Sequence, residues 1–242
     1  MTKHTTPTPP AGEFAGWLRA TRRARSLKVL GSDVPCGTCN ACCRSAYFIH
    51  VRPDDTRALQ RIPRRLLFPA PGLPAGHVLM GFNEQGQCPM LIEQRCSIYD
   101  DRPQTCRDYD CRVFAATGID PGREGGRADI AARVAQWTFT YRDDAARAEH
   151  DAVQATGAFL RDHRDSFPDG ALPGNPVQLA VLALEVYELF VQGGKAKALT
   201  SPADIARAVL AELDARRPPP PPPLSSLPTS RRPRPGARRR NG

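Results

Sequence analysis

Cys36-Gly37-Thr38-Cys39-Asn40-Ala41-Cys42-Cys43 is the stretch that decides how this chain is read. Four more cysteines follow, Cys88, Cys96, Cys106 and Cys111, and the residues outside 36–111 contain none. Thiols gathered in this way either hold a metal or form disulfides. Cys36, Cys39 and Cys42 recur at every third residue. A C-x-x-C loop folds back so that two sulfurs can converge on one ion. Three in register can present three corners to a cluster, as in ferredoxin-type loops completed by a distant Cys-Pro. Cys88-Pro89 is a candidate for that fourth ligand. Cys42-Cys43 reads differently, because neighbours in extended backbone point to opposite faces. Their adjacency predicts that the two serve different sites. The eight thiols then divide into two four-sulfur sites, with one bridged binuclear cluster as the rival arrangement. Four thiolates suit zinc and iron–sulfur centres alike, so ligand type does not separate them.

Working outward, the chain has 242 residues, which predicts one domain or one domain with an appendage. No stretch of 18 uncharged apolar residues occurs, which predicts no membrane-spanning helix. The arginine pair Arg22-Arg23 is followed only by Leu27, Val29 and Leu30 before Gly31 and Asp33, too short for the apolar core of an export signal. The expected location is therefore the cytoplasm, where structural disulfides are rare and eight thiols are better read as metal ligands than as a disulfide framework. The net charge of +9 lies at the ends: residues 218–242 carry six arginines and no acid, and residues 1–30 six basic residues against Glu13. Such ends read as solvated tails, and no aromatic-interleaved basic surface points to nucleic acid.

The expected architecture is α+β. Residues 1–12 read as disordered and 13–30 as a short basic helix carrying Phe14, Trp17 and Leu18 on one side. Residues 31–115 form a small irregular cysteine-rich body with short strands at 47–51, 77–82, 88–92 and 96–99. In that body Pro53-Asp54-Asp55 starts a helix. Residues 118–126 are a flexible loop, and 127–215 a helical region packed on the body. Within it, 143–164 is a helix with Ala145, Ala148, Ala152, Ala155 and Phe159 on one stripe. Trp137 to Tyr141 fits helix and strand equally. Residues 216–242 are a disordered Pro/Arg-rich tail beginning with Pro218 to Pro223.

The pattern CGTCNACC, then CPML, then CSIYDDRPQTCRDYDC over roughly residues 34–113 resembles the YkgJ-type cysteine-cluster family, described as a zinc- or iron-chelating CxxCxxCC domain. The resemblance implies metal ligation by Cys36, Cys39, Cys42, Cys43, Cys88, Cys96, Cys106 and Cys111, with zinc, iron or an iron–sulfur cluster as the bound group. The cluster is also similar to that of some flagellin lysine methylases, which keeps an enzymatic reading open. Tyr99, Arg102, Pro103 and Arg107 belong to the matching element, as donors that offset thiolate charge or as residues that shape the turn. Asp100, Asp101, Asp108 and Asp110 read as solvated partners of Arg102, Arg107 and Arg112. His50 and His77 are candidate ligands better read as structural.

Three readings follow. The first is a cytoplasmic metal-binding protein, the second an iron–sulfur enzyme with redox or methyl-transfer activity, and the third a metal-stapled binding module with basic tails. The metal ion is the expected partner, with no membrane and no nucleic acid.

Overall fold

Glu13 both ends a strand and starts a helix. Its carboxylate accepts from the Ala15 and Gly16 N–H groups at 3.1 and 2.7 Å, satisfying donors that an N-terminal turn leaves open. The computed structural model describes residues 10–27, 34–124, 126–191, 193, 194, 199 and 201–216. In it, strand β1 (Pro10–Glu13) leads straight into helix α1 (Phe14–Leu27). Residues 10–12, expected to be disordered, pair in parallel with β7 (Thr138–Thr140), Gly12 opposite Phe139. This also resolves the ambiguous Trp137–Tyr141 segment as strand. The expected tails, residues 1–9 and 217–242, lie outside the described residues.

The cysteine body holds short elements. A 3₁₀ turn spans Ala41–Arg44. Strands β2 (Ile49–Val51), β3 (Leu67–Pro69) and β4 (Val78–Met80) form an antiparallel sheet in the order β2-β4-β3. Between β2 and β3 lies α2 (Thr56–Arg61), which begins after Asp55 rather than at Pro53. Asp55 is occupied elsewhere: one oxygen accepts from Arg52 N–H and the other from Gln104 N–H. Strands β5 (Leu91–Ile92) and β6 (Arg95–Cys96) make a two-residue hairpin. Its turn residues Glu93 and Gln94 both have positive φ (47° and 63°), the conformation that matches strand twist in a tight hairpin. Helices α3 (Gln104–Asp108) and α4 (Arg112–Thr117) complete this part.

The helical part follows as α5 (Arg127–Val134), α6 (Asp144–Asp162), α7 (Pro176–Val186) and α8 (Pro202–Arg216). Asp143 caps α6 through the Ala146 N–H, and Asn175 caps α7 through the Val177 N–H with Pro176 in the first turn. Of the stripe expected on α6, Ala152 and Phe159 are buried while Ala145, Ala148 and Ala155 face solvent, and the buried face also takes in Ala146, His150, Val153, Thr156, Gly157 and Leu160. Alanine is too weakly apolar to mark a face, and the true face carries a histidine and a glycine. At Gly157 a Cβ would overlap the Thr117 carbonyl, which is how closely α6 lies on α4.

Apolar packing falls into two clusters. The larger joins α1, α4, α6, α7 and α8, with Phe14, Phe114, Leu160, Leu184 and Val209 fully buried. The smaller lies within the cysteine body and comprises Val51, Ala58, Ile62, Met80, Met90 and Ile98. Cys39 and Cys111 pack against the larger core, Cys88 and Cys96 against the smaller. The thiols therefore occupy the seam between the two. Among the described residues no helix is long and apolar enough to cross a membrane.

Candidate metal centre

The local backbone brings the first four thiols together. Cys39 N–H donates to Cys36 O at 2.9 Å, closing the C-x-x-C turn, and Cys43 N–H donates to Asn40 O at 2.9 Å. The Asn40 side chain reaches Gln94 O on the hairpin (3.0 Å), and Cys88 N–H donates to Cys43 O (2.7 Å). These bonds fix the segment carrying Cys88 and Cys96 against the first loop. Cys106 is placed by α3, whose Thr105 hydroxyl donates to His50 O at 2.8 Å. Cys111 sits at the start of α4.

Cys42 and Cys43 differ from expectation. Their segment is a 3₁₀ turn, not extended strand. Consecutive residues on a three-residue turn are separated by about a third of a circle rather than by half. The argument that adjacency sends them to separate sites therefore fails. Cys42 is the hub of the group. Its thiol is pushed well up, first by the hydrogen bond to Cys43, then by burial and Cys43's charge. By surface area it is also the exposed member, so the hub borders solvent while its sulfur faces the group.

At Cys36, Cys88, Cys96, Cys106 and Cys111 burial is the first cause. Cys36 is pushed up to about 11 by burial, then by Cys42 and Cys39. Cys106 is pushed up to about 12 by burial, then by Cys42, Cys88 and Cys96. Cys88 and Cys96 are raised by burial, with Cys42 adding to both. Cys111 is raised to about 12 by burial, against the pull of a Trp137 indole N–H that donates to its Sγ at 3.2 Å. All eight are free thiols. Among the described residues, no three Cys, His, Asp or Glu side chains converge closely enough to hold an ion as they stand. The donor chemistry nonetheless fits a thiophilic cation. Thiolates crowded together repel one another, and a central cation removes that repulsion. Closing around an ion requires side-chain rotation within the seam.

Charged groups around the thiols are arranged differently from the solvated pairs expected. Asp110 and Arg112 are a buried pair, 6% and 7% exposed. Arg112 Nη2 donates to Asp110 Oδ2 at 2.8 Å and Nε to Oδ1 at 2.9 Å, while Trp17 Nε1 donates to Oδ2 at 2.9 Å. Arg112 also reaches Ala11 O on β1 at 3.0 Å. The pair is buried because α1 and β1 cover it, a contact that local sequence does not announce. Asp101 pairs with Arg57 and Arg61, and Asp108 with Arg52, rather than with their chain neighbours. Arg102 lies 4.0 Å over the Tyr99 ring and donates to Tyr99 O, and Arg107 donates to the carbonyls of Arg102 and Asp100. Both arginines shape the turn, and Arg102 also offsets charge at Cys96 and Cys106. His50 and His77 pair with each other, ring nitrogens 2.8 Å apart and rings stacked, across β2 and β4.

Three neighbours escaped the sequence reading. Trp137 and Arg133 come from the end of α5 and the turn after it. Tyr109 has a buried hydroxyl with no hydrogen bond of sound geometry, although Tyr47, Cys111 and Cys42 lie near enough to perturb it. An open, polar-lined cavity of about 330 Å³ lies against Cys36 and Cys39, bounded by Arg44, Asp129, Arg133 and Gln136.

Residues 35–121 match the CxxCxxCC family model, described as "Putative zinc- or iron-chelating domain". The match contains all eight cysteines and covers about a third of the chain, bearing out the resemblance drawn from their spacing. Helices α5 to α8, with β1 and α1, lie outside this CxxCxxCC segment. Searches of the curated proteins and of the solved structures find no match.

Proposed function

We propose that this chain is a cytoplasmic metal-binding protein whose CxxCxxCC segment holds zinc or iron through Cys36, Cys39, Cys42, Cys43, Cys88, Cys96, Cys106 and Cys111. The observation that carries this reading is the set of eight free thiols on the seam between two small cores, coupled through Cys42. An ion bound there would join the cores, so binding and the stability of the cysteine body would be linked. The shared hub favours one connected thiolate group over two independent four-sulfur sites. A reducing compartment suits eight thiols kept unpaired.

The test is anaerobic purification of the full chain with elemental analysis, acid-labile sulfide assay and a visible spectrum. Zinc or iron in fixed stoichiometry is the expected result. A chain that carries neither, and takes up neither when supplied, sinks the reading. The cavity beside Cys36 and Cys39 favours a second reading, an iron–sulfur enzyme with redox or methyl-transfer chemistry, because it gives a small molecule access to two of the sulfurs. Colourless protein with zinc and no labile sulfide eliminates that alternative.

A further inference from the structure

Two side chains from beyond the CxxCxxCC segment reach the Cys36 and Cys111 side of the thiol group. Trp137 is 6% exposed, and its only polar atom, Nε1–H, donates to Cys111 Sγ at 3.2 Å. Arg133 lies four residues earlier, at the end of α5, and its guanidinium covers the Trp137 ring at 4.3 Å. That guanidinium is held at two corners: Nη2 donates to Pro35 O at 3.2 Å and Nη1 to Gln136 Oε1 at 3.3 Å. Pro35 immediately precedes Cys36, so Arg133 fixes the chain where it enters the CGTC loop. The third guanidinium donor, Nε–H, is buried and has no hydrogen-bond partner among the described residues. A buried donor left open beside a thiol loop is costly unless an acceptor arrives. The charge of Arg133 already acts favourably on the Cys36 sulfur.

The distance of α5 from the thiol loop is fixed by backbone contact. Gly126, just before α5, has φ +81°, and a Cβ there would overlap the Arg44 carbonyl at the end of the Cys42-Cys43 turn. The Ser45 hydroxyl donates to Ala41 O and also contacts Gly126 O at 3.4 Å. Helix α5 is thereby seated on the turn, and its far end delivers Arg133 and Trp137. Sulfur bound to a metal remains an acceptor, and N–H donors to it stabilise the ligated form and shift its electronic properties.

We propose that Trp137 and Arg133 are positioning residues of the metal centre, a clamp supplied by the helical part that orients Cys111 and Cys36 and offsets the negative charge of metal-bound thiolates. This rests on the metal-binding reading above. It assigns to α5 a part in the site that the matched segment alone does not contain. Trp137 supplies a neutral donor, and Arg133 a charge and an open N–H.

The test uses the full chain and cobalt(II) alone as the probe, comparing wild type with W137F, R133K and R133M. Phenylalanine keeps an aromatic ring under Arg133 and removes the N–H together with part of the indole's bulk, a packing loss that the band position separates from the lost donor. Lysine keeps charge without the planar fork. W137F is expected to bind cobalt about 10-fold more weakly or worse, with its sulfur-to-cobalt charge-transfer band moved to longer wavelength. R133M is expected to weaken binding similarly, and R133K to restore part of the loss. Wild-type affinity and an unmoved band in both W137F and R133M overturn the clamp while leaving the metal-binding reading intact. Weaker binding that merely tracks the melting of the metal-free variants, with the band unmoved, also overturns it, since packing alone would do that. If W137F fails to fold, the R133M and R133K pair decides. Wild-type protein that binds no cobalt, zinc or iron removes the metal-binding reading and the clamp together.

Discussion

Replacing Asp110 with alanine removes the acceptor at the centre of a buried network. Arg112 loses the partner of its Nε, Nη2 and backbone N–H, and the Trp17 indole N–H loses its acceptor as well. The guanidinium remains enclosed, with Ala11 O still accepting from Nη1. Breaking a buried pair from one side costs about 3–5 kcal/mol, because the buried guanidinium loses its counter-ion. At about 2–4 °C per kcal/mol for a chain of this size, Tm should fall by roughly 6–20 °C. Removing both charges in D110L/R112M is expected to recover about half of that loss. What remains is about 1–3 kcal/mol for the unpaired Trp17 N–H. The assay is urea unfolding under reductant and chelator, which keeps metal at neighbouring Cys111 out of the readout. A D110A loss below about 1 kcal/mol, or a double variant as unstable as the sum of the single ones, refutes the reasoning.

Three further outcomes are expected. Gly126→Ala forces a positive-φ position and drives a methyl into the Arg44 carbonyl, so it should destabilise by about 1–3 kcal/mol and lower metal content by tilting α5 off the Cys42-Cys43 turn, as read by elemental analysis. His150 is held below its ordinary value of 6.5 chiefly by burial, its ring stacked on Phe14 and bonded to Tyr141 and the Ala116 carbonyl. The unfolded chain therefore takes up the proton first on acidification. The stability contributed by neutral His150 is present above about pH 6.5 and is lost as pH falls through the folded value. H150Q should flatten that limb in urea midpoints measured from about pH 7.5 to 5. Cys42→Ser removes the hub, and should lower bound zinc or iron more than Cys36→Ser does; equal retention by both variants would contradict the hub assignment.

What could be read beforehand follows local chemistry. The short strands within 47–51 and 77–82 and the helix over 143–164 depend on neighbours in sequence, and they hold. The pairing of Pro10–Glu13 with Thr138–Thr140 could not be read, because Pro10–Glu13 carries no strand pattern and the alternation of Trp137–Tyr141 fits a helix equally well. The buried face of α6 was read only in part, at Ala152 and Phe159, for a related cause: His150 bonds to Tyr141 and Ala116, partners that no helical period reveals. Around the thiols, the family match was legible in the cysteine spacing and the surroundings were not. Cys42-Cys43 looked divergent because extended backbone was assumed, and Asp110 looked solvated because its cover, Trp17, lies 93 residues away.

The seating of β1 and α1 bears on how the chain is made. Beyond Asp110 and Arg112, its first described residues find partners in β7, α6 and α7, between Thr138 and Phe190. All eight cysteines are therefore synthesised before the N-terminal helix can dock. At about 5–20 residues per second, roughly 10–30 seconds separate Leu27 from Phe190. During that interval the thiols are open to the surrounding medium, so the choice of metal, or the loss of thiols to oxidants, is exposed to conditions at the ribosome before the finished seam can impose its own preference.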